Sequence, residues 1–410
     1  MTVPAPAPPA YARSWRLAAL LASLSMLGPF AVDMYLPAFP AIAAELRTGA
    51  IGIQQTLSVY MFAYAFMMLW HGALSDALGR RVIILAGLGL FALGTLGCAI
   101  AGNVESLWLF RALQGLSAGS GLVVGRAIIR DRFHGAEAQK MMSQITLVFG
   151  LGPALAPIVG GLLLNGLGWR SIFWFMLAWT VLMLVLCVRS LPETLPVAQR
   201  HALHPAALWR NYRAVLGQPK FALLSLVPAL NFCAFFVYIS AAPSFLVDLL
   251  GVSTYGFAWL FVPMISGIML GAYLSGRLAG RVSGLRTVRI GFTVAAVGVV
   301  LNLLISTLLP PFVAWNVVPL FVYTCGSSLI MPTITLLLLD LFPTMRGLTS
   351  SLQGFVQFAL GGVVAGSIAP LLAHSLTSLA LGMAAFAGAS FVLWLVYQRR
   401  ARTTLKEASP

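Results

Sequence analysis

The chain is short of charge. Only 9% of its 410 residues are Asp, Glu, Lys or Arg, against about 25% in soluble domains, which excludes an ordinary soluble domain. Acid is scarcest, with ten Asp and Glu against 25 Lys and Arg. The four cysteines, Cys98, Cys187, Cys233 and Cys325, lie far apart in apolar runs. That spacing argues against a disulfide framework or a metal site and fits small core residues. Paired catalytic carboxylates, a nucleophile–base pattern and a nucleotide loop are also missing, as is any sizeable polar segment for a signalling domain. An enzyme and a non-transporting sensor therefore find no support in the residues, and no cofactor is implied.

What is present is apolar: 60% of residues are hydrophobic and the mean hydropathy is +0.94. A membrane-crossing helix needs about 20 apolar residues. Runs of that kind occur near 16–44, 53–72, 82–101, 107–127, 140–164, 171–190, 221–247, 255–276, 287–309, 315–339, 348–371 and 379–397. The first follows Arg13 and Arg16 as a secretory leader would. It continues past the ~7–15 residues of a leader core, through an acid and two prolines, and reads as a retained span. The stretch 191–220 is polar, basic and proline-containing. It divides an all-α membrane protein of about twelve helices into six-helix halves, 1–190 and 221–410, as in carriers built from repeats.

Cytoplasmic loops are rich in Lys and Arg. Arg13, Arg16, Arg80, Arg81, Arg346 and the basic residues within 130–140, 200–220, 277–289 and 399–406 fall on one side, and only Arg47 and Arg170 on the other. Both termini and the central loop are thus expected in the cytoplasm. The net charge of +15 is mainly this topology signal, reinforced by attraction to anionic lipid, and a nucleic-acid partner loses its support.

Nine of the ten acids fall at span ends or in loops, leaving Asp33 in "GPFAVDMYLPAFP" inside the membrane. If Glu45 marks the outer surface, Asp33 lies roughly 18 Å below it at helical rise. An acid there costs about 2.5–3.5 kcal/mol on insertion scales unless compensated. The same elimination leaves Arg111, in "LWLFRALQGLSAG", as the cation well inside a span. Burial favours the neutral carboxyl and a nearby arginine the charged one, so Asp33 is expected to exchange a proton while arginine stays charged. The bland alternative is a static ion pair tying the first and fourth spans together.

Between the second and third spans stands "GALSDALGRR". Glycines permit a tight turn, Asp76 can cap a helix start, and Arg80 and Arg81 can pair with loop acids such as Asp131. As a whole this stretch resembles the cytoplasmic signature of the major facilitator superfamily, G-x-L-[AS]-D-x-x-G-R-[RK], through Gly72, Asp76, Gly79, Arg80 and Arg81. "RALQG" resembles that family's fourth-helix motif, which implies a proton-transfer role for Arg111. "GPALAPIVGG" resembles its antiporter motif G-x-x-x-G-P-x-x-G-G, with Gly152, Pro157, Gly160 and Gly161 in place and Ala156 where a glycine is usual; Pro153 and Pro157 can bend this helix. "VDMYLPAFP", like "FVYISAAPSFLVDLLGVS", resembles the Bcr/CflA drug-resistance group, whose first-helix acid maps onto Asp33. "GRLAGRVSGLR" has Gly280 where a second copy of the signature would carry its acid, so coupling is expected in the N-terminal half.

Helical spacing puts Tyr60, Tyr64 and Met67 on one face, Gln114 beside Arg111, and Asn231, Phe235 and Tyr238 on another stripe. Tyr60, Tyr64, Gln114, Asn231, Phe235 and Tyr238 are the candidate cargo contacts, although aromatic stripes also simply fill helix contacts. His71 is expected at the cytoplasmic interface. The resemblance implies a monomeric inner-membrane antiporter exchanging protons for amphipathic drugs such as chloramphenicol- or bicyclomycin-like antibiotics. Export of an amino acid or peptide on the same scaffold stays open.

Overall fold

The computed structural model describes residues 11–133, 135–200, 203–343 and 345–407. Among them, eleven helices are long and apolar enough to cross a membrane, and the apolar part of a further helix, Leu151–Leu167, completes about twelve. The first span, α1 (Leu17–Glu45), is followed by α2 (Ala50–Leu78), α3 (Arg80–Ala99), α4 (Val104–Arg132), α5 (Gly135–Leu167) and α6 (Arg170–Ser190). A short helix, α7 (Pro205–Leu216), occupies the central connection. Then come α8 (Pro219–Ser240), α9 (Ala258–Leu278), α10 (Gly284–Leu308), α11 (Val313–Asp340), α12 (Arg346–Leu372) and α13 (Leu376–Glu407).

Packing repeats between the halves. In the first, α2 packs on α4, α3 on α4 and α3 on α6; in the second, α9 packs on α11, α10 on α11 and α10 on α13. This correspondence is what an internal structural repeat produces. The halves meet along two seams, α2 on α12 and α5 on α9.

The breaks in α1 and α4 have local reasons. The α1 helix passes a turn at Met26, continues as Leu27–Asp33, tightens to a 3-10 turn at Leu36–Ala38, and resumes at Phe39–Glu45. Pro37 lacks the N–H that would have bonded the Asp33 carbonyl, and Pro40 repeats the interruption three residues on. The α4 helix is interrupted at Gly119 between Val104–Ala118 and Ser120–Arg132. A Cβ at Gly119 would meet the His71 ring at 3.3 Å, and one at Gly121 the Leu24 carbonyl oxygen at 2.8 Å. Small residues here let α1, α2 and α4 close together.

Helix α2 extends six residues past its expected end at 72, so Gly72 and Asp76 lie inside the helix instead of in a turn. The connection to α3 is Gly79 alone, at φ 104°, a conformation glycine adopts without Cβ strain. His71 is buried instead of interfacial, and its Nδ1 has no hydrogen-bond partner among the described residues. All four cysteines are buried and free.

Candidate functional site

The break in α1 points Asp33 inward: it is 5% exposed and carries no hydrogen bond or ion pair among the described residues. Its electrostatic neighbour is the Tyr60 hydroxyl on α2, which donates to the Gly28 carbonyl at 3.3 Å. Behind Asp33 stands α5. A Cβ at Gly160 would collide with the carbonyl oxygen of Met34, and one at Gly152 would meet Pro29 Cβ at 3.2 Å. The glycines of the antiporter-like motif thus set the distance between α5 and the helix that carries the acid. Pro153 and Pro157 lie inside α5, with Gly160 and Gly161 buried.

Arg111 on α4 is fully buried. Its guanidinium lies 4.4 Å from the Tyr60 ring centroid and 4.8 Å from that of Tyr35, contacts worth up to about 2 kcal/mol each when desolvated. Arg111 Nη1 donates to Gln114 Oε1 at 2.8 Å, and Gln114 Nε2 donates to Thr95 Oγ1 at 2.8 Å. Nε and Nη2 of Arg111 have no hydrogen-bond partner among the described residues. Asp33 and Arg111 form no ion pair; both instead neighbour Tyr60. Gln114, expected to face cargo, is fully buried and its amide is committed to holding Arg111.

Tyr64 packs its ring against that of Phe358 of α12, centroids 4.6 Å apart and tilted by 47°, across the seam between the halves. Its hydroxyl makes no hydrogen bond among the described residues and interacts electrostatically with Arg126. Arg126 is a second cation inside the fourth span, exposed where Arg111 is enclosed. The apolar run ends at 127, which puts Arg126 at its edge; the helix runs on to Arg132. Farther along the seam, Ser58 Oγ donates to the Gly362 carbonyl at 2.8 Å and Gln55 Nε2 to the Gly366 carbonyl at 2.7 Å. Gly366 belongs to a π turn, Val364–Ile368.

The α8 candidates are placed differently. Asn231 Nδ2 donates to Ser390 Oγ at 2.6 Å, and its Oδ1 accepts from the Tyr323 hydroxyl at 3.0 Å. The Tyr238 hydroxyl accepts from Asn302 Nδ2 at 2.7 Å. Both tie helices of the second half together. Phe235 is half-buried, edge-on to Phe232 at 5.2 Å.

At the other end of α2 the loop signature forms a closed network. Arg80 reaches Asp76 at 2.5 Å, Asp131 at 3.1 Å and Ser75 Oγ at 2.6 Å. Asp76 sits in the last turn of α2, so it does not cap a helix start. The acid that does is Glu193, beyond α6: it accepts from the backbone N–H groups of Arg80 at 3.0 Å and Arg81 at 3.3 Å. These are the first donors of α3, where helix geometry leaves N–H groups unpaired and favours an anion. Arg200 adds an ion pair to Glu193 at 3.6 Å. Arg81 does not pair with Asp131; its Nη2 donates to the Val188 carbonyl at 2.5 Å. At the opposite membrane face Glu45 pairs with Arg170 and accepts from Trp169 Nε1 at 2.7 Å. Among the described residues, no three or more His, Cys, Asp or Glu side chains come together as a metal site would need.

Residues 21–366 match the model of the Major Facilitator Superfamily. An uncharacterized MFS-type transporter YdgK of Bacillus subtilis is 32% identical over 350 residues, 85% of this chain and 87% of that protein. A bicyclomycin resistance protein homolog of Haemophilus influenzae is 29% identical, covering 86% and 88%. A chloramphenicol resistance protein of Pseudomonas aeruginosa is 30% identical, covering 88% and 85%. Among solved structures, that of the nucleoside transporter NupG superposes with a TM-score of 0.72 over 93% of this chain and 99% of its own, at 15% identity; this likeness speaks for the fold alone.

Proposed function

Since this chain belongs to the major facilitator superfamily, we propose that it is an exporter of the Bcr/CflA drug-resistance group, expelling amphipathic antibiotics in exchange for protons. Relatives named for bicyclomycin and chloramphenicol resistance support the drug class. Asp33 carries the coupling: a carboxyl within the first span, enclosed yet unpartnered among the described residues. Such a group is costly as a permanent charge and useful as one that comes and goes.

In the cycle, cargo binding from the cytoplasm favours proton release from Asp33. The halves rock about the α2–α12 and α5–α9 seams, cargo leaves outside, and reprotonation neutralises Asp33 before return. Alternating access around a midplane site is the geometry repeat-built carriers use. Each proton entering down 100 mV supplies about 2.3 kcal/mol, enough to hold roughly a fifty-fold gradient of neutral cargo. Arg111, braced by Gln114 and by two tyrosine rings, supplies a fixed positive field beside Tyr60. The protein acts as a monomer in the bacterial inner membrane, with both termini cytoplasmic.

The test is chloramphenicol uptake into inverted vesicles with and without a proton gradient. Asp33→Asn should abolish the gradient-driven component while leaving protein amount and thermal stability unchanged. Normal gradient-driven uptake by this variant refutes the assignment. Unaltered tolerance to a broad antibiotic panel on overexpression would point to a metabolite cargo instead.

A further inference from the structure

Away from the path between the halves, a cavity of about 540 Å³ lies between α10 and α13 in the C-terminal half. It exists because the two helices face each other there through small residues, Ala296 on one side and Ala384, Ala387 and Gly388 on the other. A Cβ built at Gly388 meets nothing within 4 Å. Phe292 and Trp394 line it as a stacked pair, ring centroids 6.4 Å apart. Asn231 reaches it too, but its amide is already bonded to Ser390 and Tyr323. The rim is apolar and exposed at Val300, Phe391 and Leu395, where hydrocarbon would lie.

Apart from Asn231, the polar lining groups gather at one end. Arg289, five residues past the start of α10, and Gln398, two residues before the end of the span Leu376–Arg400, line the cavity there. The Arg289 side chain is exposed and makes no hydrogen bond or ion pair among the described residues. From Arg289 to Val300 the groove covers roughly 16 Å at ~1.5 Å per residue. Half of a ~30 Å hydrocarbon core is about 15 Å. The groove therefore runs the depth of one leaflet, with a bare cation at headgroup level and an aromatic-walled slot below it.

We propose that this groove is a binding site for one anionic phospholipid, its phosphate on Arg289 and one acyl chain along the exposed wall of Val300, Phe391 and Leu395, backed by the buried Phe292 and Trp394. A lipid tail gains little on moving from bilayer to an apolar slot, so selectivity lies in the headgroup. One arginine near the membrane surface gives about a five-fold preference for an anionic over a zwitterionic lipid. The site is independent of the transport reading.

Native mass spectrometry of the purified full-length protein, given equimolar phosphatidylglycerol and phosphatidylcholine, tests it. The native chain should retain one phosphatidylglycerol about five-fold over phosphatidylcholine. Arg289→Gln should erase that preference, whereas Arg286→Gln, outside the groove lining, should keep it. Gly388→Leu should fill the slot and reduce retention of both lipids, with thermal melting confirming a folded variant. Equal retention of the two lipids by the native chain overturns the proposal. So does an unchanged preference in Arg289→Gln, or a dimer or a bound drug in place of lipid.

Discussion

Three glycines on α5 allow a graded test of how the antiporter-like motif holds Asp33 in place. Replacing a helical glycine by alanine stabilises by about 0.5–1 kcal/mol where nothing obstructs the new methyl. Gly166 is such a position, with nothing within 4 Å of a Cβ, so Gly166→Ala should raise the melting temperature slightly. At Gly152 the methyl would meet the Pro29 ring at 3.2 Å, a tight contact that should cancel the gain. At Gly160 it would overlap the Met34 carbonyl oxygen and stand 2.8 Å from the Met34 carbonyl carbon. Backbone cannot swing aside as a side chain can, so α1 and α5 must separate. Overpacking of this kind costs about 1–3 kcal/mol, leaving Gly160→Ala net destabilised by about 1–2 kcal/mol. Because Met34 adjoins Asp33, gradient-driven uptake should fall more than the folded amount does. Melting curves in detergent together with vesicle uptake rank the three variants. If Gly160→Ala melts with Gly166→Ala and transports normally, the close approach of α5 to Met34 is wrong.

Gln114→Leu would strip Arg111 of its one hydrogen-bonded partner among the described residues; stranding a buried charge costs about 3–5 kcal/mol, so folded yield in membranes should collapse, while Gln114→Glu, which keeps an acceptor, should restore it. Glu193→Gln weakens a charge-assisted cap on α3 and should cost about 1–2 kcal/mol, read as a lower melting temperature that screening by salt makes smaller. Ser58→Ala with Gln55→Leu removes two α2 bonds to α12 carbonyls and should increase labelling of a cysteine introduced along that seam. Burial pushes the Tyr212 hydroxyl up to about 12 from 10.0. Between those values the folded chain keeps a proton that the unfolded chain loses, so stability falls as pH rises; Tyr212→Phe should flatten melting temperature against pH there.

Hydropathy located the spans because a membrane helix must hide its backbone bonds within itself and show apolar side chains to lipid. Rarity located Asp33 and Arg111, since charge inside such a run stands out. Partner choice was not legible. Gln114 looked like a cavity residue because its spacing beside Arg111 does not say whether its amide turns to cargo or to Thr95. Glu193 looked like one loop acid among several; its role depends on a fold that brings it to a helix start 113 residues earlier in the chain. The end of α2 is not legible either, because Gly72 and Asp76 are turn-forming residue types, although Arg80 pairs with Asp76 in the final turn. The groove between α10 and α13 was invisible, since alanine and glycine in an apolar run record no direction.

The single-glycine link between α2 and α3 has a mechanical corollary. With no slack between them, the two helices form a rigid crank, gripped by α12 along one arm and by Glu193 at its elbow. Any tilt started at the π turn of α12 must be delivered to the chain that joins the two halves, so strain on that connector would register which way the carrier faces.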